Sequence, residues 1–280
     1  MQKDVLWDKE IENTLKSFSY VQIDNFLNAL DCASTNNSSL NIEEGQYTES
    51  GLWTWLCSRD NVELIDLKKE IQIRLIKSTK ITKEKADYML GILGKNESQK
   101  VLMAGGIPRL FGFQSVEEYY SVLRAYLSKE KRSDFENDMQ ECFPNLYFVE
   151  DIGVSMNSLN RSFDEIKSEI VTHLSALDGY KDEFVKLTAK NCSNTQISTK
   201  FKEKTGIDCS PQANRDGVNK LIVHIFNEET NKNEKVVCEL HTKFSKNKID
   251  RTKQDRIYFS PSKSGIKKGR VIIKHIGTHL

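Results

Sequence analysis

Val236-Val-Cys-Glu-Leu-His-Thr-Lys-Phe244 is the stretch from which the fold can be read outward. Side chains alternate across a strand, so Val237, Glu239, His241 and Lys243 share one face and Val236, Cys238, Leu240 and Phe244 the other. One face carries chemistry and the other is apolar. Upstream, Lys220-Leu-Ile-Val-His-Ile-Phe226 has the same β-rich composition, and the polar stretch 227–235 joins the two as a hairpin. Downstream, Arg256-Ile-Tyr-Phe259 and Arg270-Val-Ile-Ile-Lys-His-Ile276 flank residues 260–269, rich in Gly, Ser and Lys, as a second hairpin. In the last of these strands strict alternation sets Val271, Ile273 and His275 on one face and Arg270, Ile272, Lys274 and Ile276 on the other.

Before residue 206 the period changes. Apolar residues recur at helical intervals over 7–18, 20–33, 61–78 and 83–93. Ser115-Val-Glu-Glu118 and Ser162-Phe-Asp-Glu165 are capping boxes that open helices over 116–129 and 163–178. Helices over 181–190 and 195–204 follow, the second closed by Gly206. Ser34-Thr-Asn-Asn-Ser-Ser39 reads as a polar loop and Gly105-Gly106 as a turn, because a phosphate-cradling loop needs further glycines and a Lys before Ser or Thr. Cys142-Phe-Pro-Asn-Leu-Tyr-Phe-Val149 reads as an extended segment or the entry to the next helix. Trp53 and Trp55 read as core anchors, and His173 and His224 as structural histidines. The expectation is an α+β chain: a mainly helical domain over 1–178, then a small domain over 179–280 with two helices and a four-stranded antiparallel sheet.

Composition narrows the function classes. With 38% hydrophobic and 29% charged residues the chain can build a core. Its 4 Pro and 14 Gly are too few for a turn-dense all-β or collagen-like architecture. No apolar run is long enough to span a bilayer, and the start lacks the apolar core of a signal peptide, so a cytoplasmic protein without membrane contact is expected. The 6 cysteines include no C-x-x-C pair, which fits free thiols in a reducing compartment. Charge is sharply divided: residues 241–280 hold eight Lys and three Arg against Asp250 and Asp255, a net of +9 within a chain of net +1. A basic module of this kind calls for an acidic partner, most simply a nucleic-acid backbone.

The same forty residues hold the types that metal-independent RNA cleavage requires. His suits proton transfer near neutrality, and Arg or Lys suits the phosphorane-like charge. The candidate catalytic residues are His241, Lys243, Arg251, Arg256, Tyr258, His275 and His279, with Lys246, Lys248, Lys253, Lys263, Lys267, Lys268, Arg270 and Lys274 as nucleic-acid contacts. No cofactor is expected.

The order of two helices and four strands, with Asp255-Arg-Ile-Tyr-Phe259 and Arg270-Val-Ile-Ile-Lys-His-Ile-Gly-Thr-His-Leu280, resembles the C-terminal half of RelE/YoeB-type ribonuclease toxins. The resemblance covers roughly the last third of the chain, and the chain departs from it in carrying Glu239-x-His241-x-Lys243. It implies an endoribonuclease of toxin or antiviral-defence type acting on RNA rather than DNA, with the acidic N-terminal region as a restraining or protein-binding element. Two other chemistries use the same residues. His241, His275 and His279 form a possible metal set, and Glu239, Lys243 and Asp216 a loose version of the acidic-acidic-Lys centre of Mg²⁺-dependent DNA nucleases. A non-catalytic regulator that docks its basic sheet on nucleic acid or an acidic protein is the alternative from outside enzymology.

Overall fold

The structure is a computed structural model describing residues 3–49, 51–93, 95, 99–105, 111–212, 219–246, 253–261 and 265–280. It divides into two compact units, Met1–Lys129 and Glu130–Leu280. The break falls there rather than at 178/179 because the helix over Phe163–Gly179 belongs to the second unit, where His173 Nδ1 lies 2.9 Å from Thr242 Oγ1.

The first unit corrects the expectation of a mainly helical domain. It contains β1 (Lys3–Trp7), α1 (Ile11–Ser17), α2 (Tyr20–Thr35), β2 (Ser38–Glu43), α3 (Glu44–Glu49), α4 (Leu52–Cys57) and α5 (Ile65–Lys77). β3 (Thr79–Ile81), α6 (Lys83–Ile92), β4 (Lys100–Ala104), β5 (Gly112–Phe113) and α7 (Val116–Leu127) complete it. The five strands form a wholly parallel sheet in the order β3-β2-β1-β4-β5. Leu6 faces α6 within a cluster with Ala86, Met89, Ile92 and Val101, while Trp7 meets Phe26 of α2 edge to face at 5.8 Å. Both faces of β1 are therefore covered, and a strand buried on both sides has no polar alternation to betray it. The segment 7–18 accordingly splits into the end of β1 and a helix that starts only at Ile11. Trp53 and Trp55 are half-buried, and Leu52 and Leu56 anchor α4 instead.

The second unit contains α8 (Arg132–Cys142), β6 (Leu146–Phe148), α9 (Ile152–Ser155), α10 (Phe163–Gly179), α11 (Lys181–Ala189) and α12 (Asn194–Thr205). Then come β7 (Cys209–Pro211), β8 (Ile222–Asn227), β9 (Lys232–Val237), β10 (Leu240–Lys243), β11 (Arg256–Ser260) and β12 (Val271–Gly277). The four-stranded antiparallel sheet is replaced by a five-stranded mixed sheet, β6-β12-β11-β10-β7, and a separate two-stranded sheet, β8-β9. β6 joins parallel to β12, and β7 closes the other edge. The segment 236–244 breaks at Cys238 and Glu239, so its first part pairs with β8 and its second with β7 and β11. The β8-β9 hairpin covers Ile272 through Ile225, Val236 and Cys238, and leaves His224 exposed rather than in the core. Among the described residues no helix is long and apolar enough to cross a membrane.

Helix starts follow their local chemistry. Ser162 and Glu165 form the capping box of α10, Ser115 Oγ accepts from Glu118 N at the start of α7, and Gly206 closes α12 at φ 75°. α10, α11 and α12 cover one face of the mixed sheet. Phe184 and Phe201 stack at 5.7 Å and both meet Phe259, and the His173 ring packs on Phe244 at 4.7 Å.

Burial pushes the His173 imidazole down to about 4, so the folded chain holds it neutral where the unfolded chain would protonate it. Its contribution to stability is complete above pH 6.5 and is lost as the pH falls from there towards 4, by roughly 2–3 kcal/mol. His173→Gln is expected to flatten this part of the stability–pH curve measured by urea unfolding. An unchanged slope would contradict a neutral buried imidazole.

Candidate functional site

The face of the mixed sheet opposite the helices carries a polar row. Cross-strand partners place Ser210 of β7 opposite His241 of β10, His241 opposite Tyr258 of β11, and Tyr258 opposite His275 of β12. Directly paired residues share a face, so four strands contribute one side chain each. Arg256 and Lys243 form the next rung. The intervening residues Thr242, Ile257 and Phe259 belong to the helix-covered face.

His275 reaches the row through a β-bulge. Pairing runs Tyr258 with His275 and then Phe259 with Ile273, which leaves Lys274 as the extra residue on β12. The bulge breaks the expected alternation: Ile273 and His275 lie on opposite faces. Lys274 turns away to Asp151 at 2.9 Å and is not part of the site.

Residues 278–280 fold back over the row. The Tyr258 hydroxyl donates to Gln212 Oε1 at 3.3 Å and accepts from Leu280 N at 3.3 Å and Arg256 Nη1 at 3.4 Å. Gln212 Nε2 donates to Leu280 O at 2.8 Å, and His275 Nε2 donates to the Thr278 carbonyl at 3.1 Å. His241, Tyr258 and His275 are thus buried, and His279 is exposed with its ring 6.4 Å from that of His241. His241 Nε2 lies 3.2 Å from Ser210 Oγ. Its Nδ1 and the Arg256 Nε are buried and have no hydrogen-bond partner among the described residues.

The electrostatics follow from burial beneath cations. Desolvation first, then the charges of Arg256 and Lys243, push His241 down to about 3. Burial also lowers His275 and His279, with Arg256 as the next cause for His279. The imidazoles of the row are neutral at pH 7 and lie beside fixed positive charge. Lys243 lies 3.6 Å from Asp208, whose carboxyl is held below its ordinary range chiefly by the hydrogen bond from Lys202. Asp255, next to Arg256 in sequence, points away and accepts two hydrogen bonds from Asn160.

Of the candidate catalytic residues the structure therefore brings together His241, Lys243, Arg256, Tyr258, His275 and His279. Arg251 lies outside the described residues, as do Lys248, Lys263 and Asp216. Glu239 is not part of the row: it accepts a hydrogen bond from Asn194 of α12. Lys267, with its ammonium 4.7 Å from the Tyr147 ring centroid, Lys268 and Arg270 lie before β12, at the end of that strand remote from His275. At about 3.3 Å per residue that separation is roughly 15 Å, so they line a different part of the surface. Lys246 and Lys253 are exposed beside the ends of β10 and β11. Ser210 and Gln212 belong to the site although nothing in their sequence context singled them out, because β7 is three residues long and contains Pro211. Only pairing with β10 reveals them.

Gly277 marks how tightly the end of β12 is held. A methyl group there would collide with Ser158 Oγ and fall 2.7 Å from the Ser155 carbonyl oxygen and 2.9 Å from His275 Nε2. Gly277→Ala is expected to destabilise the second unit by about 1–3 kcal/mol and to shift the His275 imidazole signals in NMR spectra. Unchanged stability and unchanged signals would show that residues 278–280 do not depend on this close packing.

No protein-family model, no curated protein and no solved structure is found to match this chain.

Proposed function

We propose that the second unit is an endoribonuclease that cleaves RNA without a metal, at the row formed by His241, Tyr258 and Arg256. The observation that carries this reading is the unused hydrogen-bonding capacity of His241 Nδ1 and Arg256 Nε on a face supplied with further positive charge by Lys243. A buried polar group without a partner costs about 1–3 kcal/mol; a phosphate oxygen would accept from Arg256 Nε, and the attacking 2′-hydroxyl would donate to His241 Nδ1. Arg256 and Lys243 hold the scissile phosphate. Neutral His241 accepts the proton of the 2′-hydroxyl as that oxygen attacks phosphorus, and protonated His279 donates to the departing 5′-oxygen. The products are a 2′,3′-cyclic phosphate and a 5′-hydroxyl. Burial is the first cause that depresses His241; a bound phosphate offsets the second, the charges of Arg256 and Lys243, and raises its basicity to that extent. His275, tied to the Thr278 carbonyl, positions residues 278–280 and transfers no proton.

A second reading, in which the same face binds RNA phosphates without cutting them, draws on the burial of His241 and Tyr258 to 3% and 0% exposure. Incubation of the full chain with total RNA and with plasmid DNA, each in EDTA, separates the two. Cleavage of RNA alone to 2′,3′-cyclic phosphate ends is expected, with His241→Gln lowering kcat/KM by roughly 10²–10⁴-fold and RNA affinity unchanged. Salt-dependent RNA retention without cleavage would establish the binding reading. Cleavage that appears only in a parallel incubation with Mg²⁺ in place of EDTA, and leaves 5′-phosphate ends, would overturn the metal-free one.

The pH profile is a further check. The proton donor His279 titrates below its ordinary value and His241 lower still. kcat/KM is therefore expected to peak below pH 6.5 and to decline about tenfold per unit above it. A plateau extending through pH 8 would exclude His279 as the acid.

A further inference from the structure

The row in the second unit is covered. His241 and Tyr258 are 3% and 0% exposed, and residues 278–280 lie over them. A phosphodiester must come within hydrogen-bond distance of His241 to react there, so the cover has to move. The chain changes character at one peptide link. β12 ends with Ile276 and Gly277, both buried, and Gly277 still pairs with Arg256. Beyond it Thr278 and Leu280 are only half-buried, and His279 is exposed.

Four hydrogen bonds among the described residues tie this segment to the elements beneath it. Thr278 N donates to Ser158 Oγ at 3.2 Å, and the Thr278 carbonyl accepts from His275 Nε2 at 3.1 Å. Leu280 N donates to the Tyr258 hydroxyl at 3.3 Å, and the Leu280 carbonyl accepts from Gln212 Nε2 at 2.8 Å. Three of the four are at the long end of the usual range, and each has a side chain as one partner. A segment held in this way, with little apolar burial of its own, opens at lower cost than the sheet it covers. Gly277 cannot follow it, since that position has no room even for a methyl group. His279 rides on the segment, its ring 6.4 Å from that of His241. The closure that covers the row therefore also brings the proton donor to it.

We propose that residues 278–280 are a latch over the row, opening about the link between Gly277 and Thr278 to admit an RNA strand and closing to bring His279 to it. The proposal rests on the reading of the row as an RNA-cleaving site, and adds that the chain holds that site shut until RNA enters. RNA affinity is then the intrinsic affinity reduced by the fraction of molecules with the latch open. A change that loosens the latch without touching the row strengthens RNA binding by the factor by which it raises that fraction. It also lowers kcat, because His279 is held less closely.

The test is carbethoxylation of the full chain at pH 7 with diethyl pyrocarbonate, which attacks neutral imidazoles, followed residue by residue by mass spectrometry. The chain carries its own references: exposed His224 reports the unprotected rate, and His173, buried on the helix side of the sheet, reports global unfolding. His241 is expected to react slower than His224 by roughly tenfold or more. Ser158→Ala removes the acceptor of Thr278 N and lies outside the row. It is expected to speed His241 by about two- to tenfold, the weight of one hydrogen bond, with His173 unchanged. Gln212→Ala, which frees the Leu280 carbonyl, is expected to do the same, and it decides alone if Ser158→Ala does not fold. Affinity for a single-stranded RNA, measured with His241→Gln added to prevent cleavage, is expected to rise by the same factor. His241 as reactive as His224, no acceleration in either folded variant, or acceleration shared by His173 would each overturn the latch. Acceleration of His241 in a chain that cleaves no RNA would uphold the latch and remove the nuclease reading; cleavage with His241 unaffected by either variant would do the reverse.

Discussion

The bulge at Lys274 is the constraint on which the arrangement of the second unit depends. An uninterrupted β12 would carry His275 on the same face as Ile273, against the helices, because side chains alternate strictly along a regular strand. One extra residue opposite Tyr258 and Phe259 reverses that parity. Ile273 stays with Phe259 on the apolar face, His275 joins Tyr258 and His241, and the surplus Lys274 is taken up by Asp151. Residues 278–280 then emerge on the polar side, where Leu280 closes the network through Tyr258 and Gln212. The row, its cover and its charge all follow from a single irregularity in pairing.

That network couples stability to electrostatics. His173 on the helix side and His241 on the opposite side of the same strand are both held neutral, the first by burial alone and the second by burial beneath Arg256 and Lys243. Buried neutral imidazoles oppose acid conditions, since protonation would place charge in a poorly solvated interior. On the Thr242 side that is a matter of packing against Phe244. On the His241 side the same physics leaves a weak base next to fixed cations and an unpaired Nδ1, an arrangement suited to an anion. The adjacent residues His241 and Thr242 thus serve opposite faces with different chemistry.

The two units deploy their polar groups differently. In the second, Arg256 and Lys243 lie beside the neutral row. In the first, carboxylates gather at the carboxyl edge of a parallel sheet around Trp7 and Gln46. The N-terminal part of the chain is therefore not a purely helical region: it has a sheet, a switch point and a cleft of its own.

What the sequence determined by itself is what rests on neighbours three or four residues away, or on alternation over a short span. The capping box of Ser162 and Glu165, the cap of Ser115 on Glu118, the closing Gly206 and the strands around His241, Tyr258 and His275 were legible because each depends on contacts within its own segment. The parallel sheet was not. Lys100-Val-Leu-Met-Ala104 is apolar on both faces and Ser38-Ser-Leu-Asn-Ile-Glu43 reads as polar, so neither shows the signature of a half-exposed strand. Candidate residues such as Tyr258 and Arg256 could be named from their chemistry, yet Ser210 and Gln212 enter the site only through the pairing of β7 with β10, and Glu239 leaves it through the break before β10. Register, bulges and the choice of partner strand are decided by contacts between residues far apart in the chain, and these exist only once the two sheets have formed.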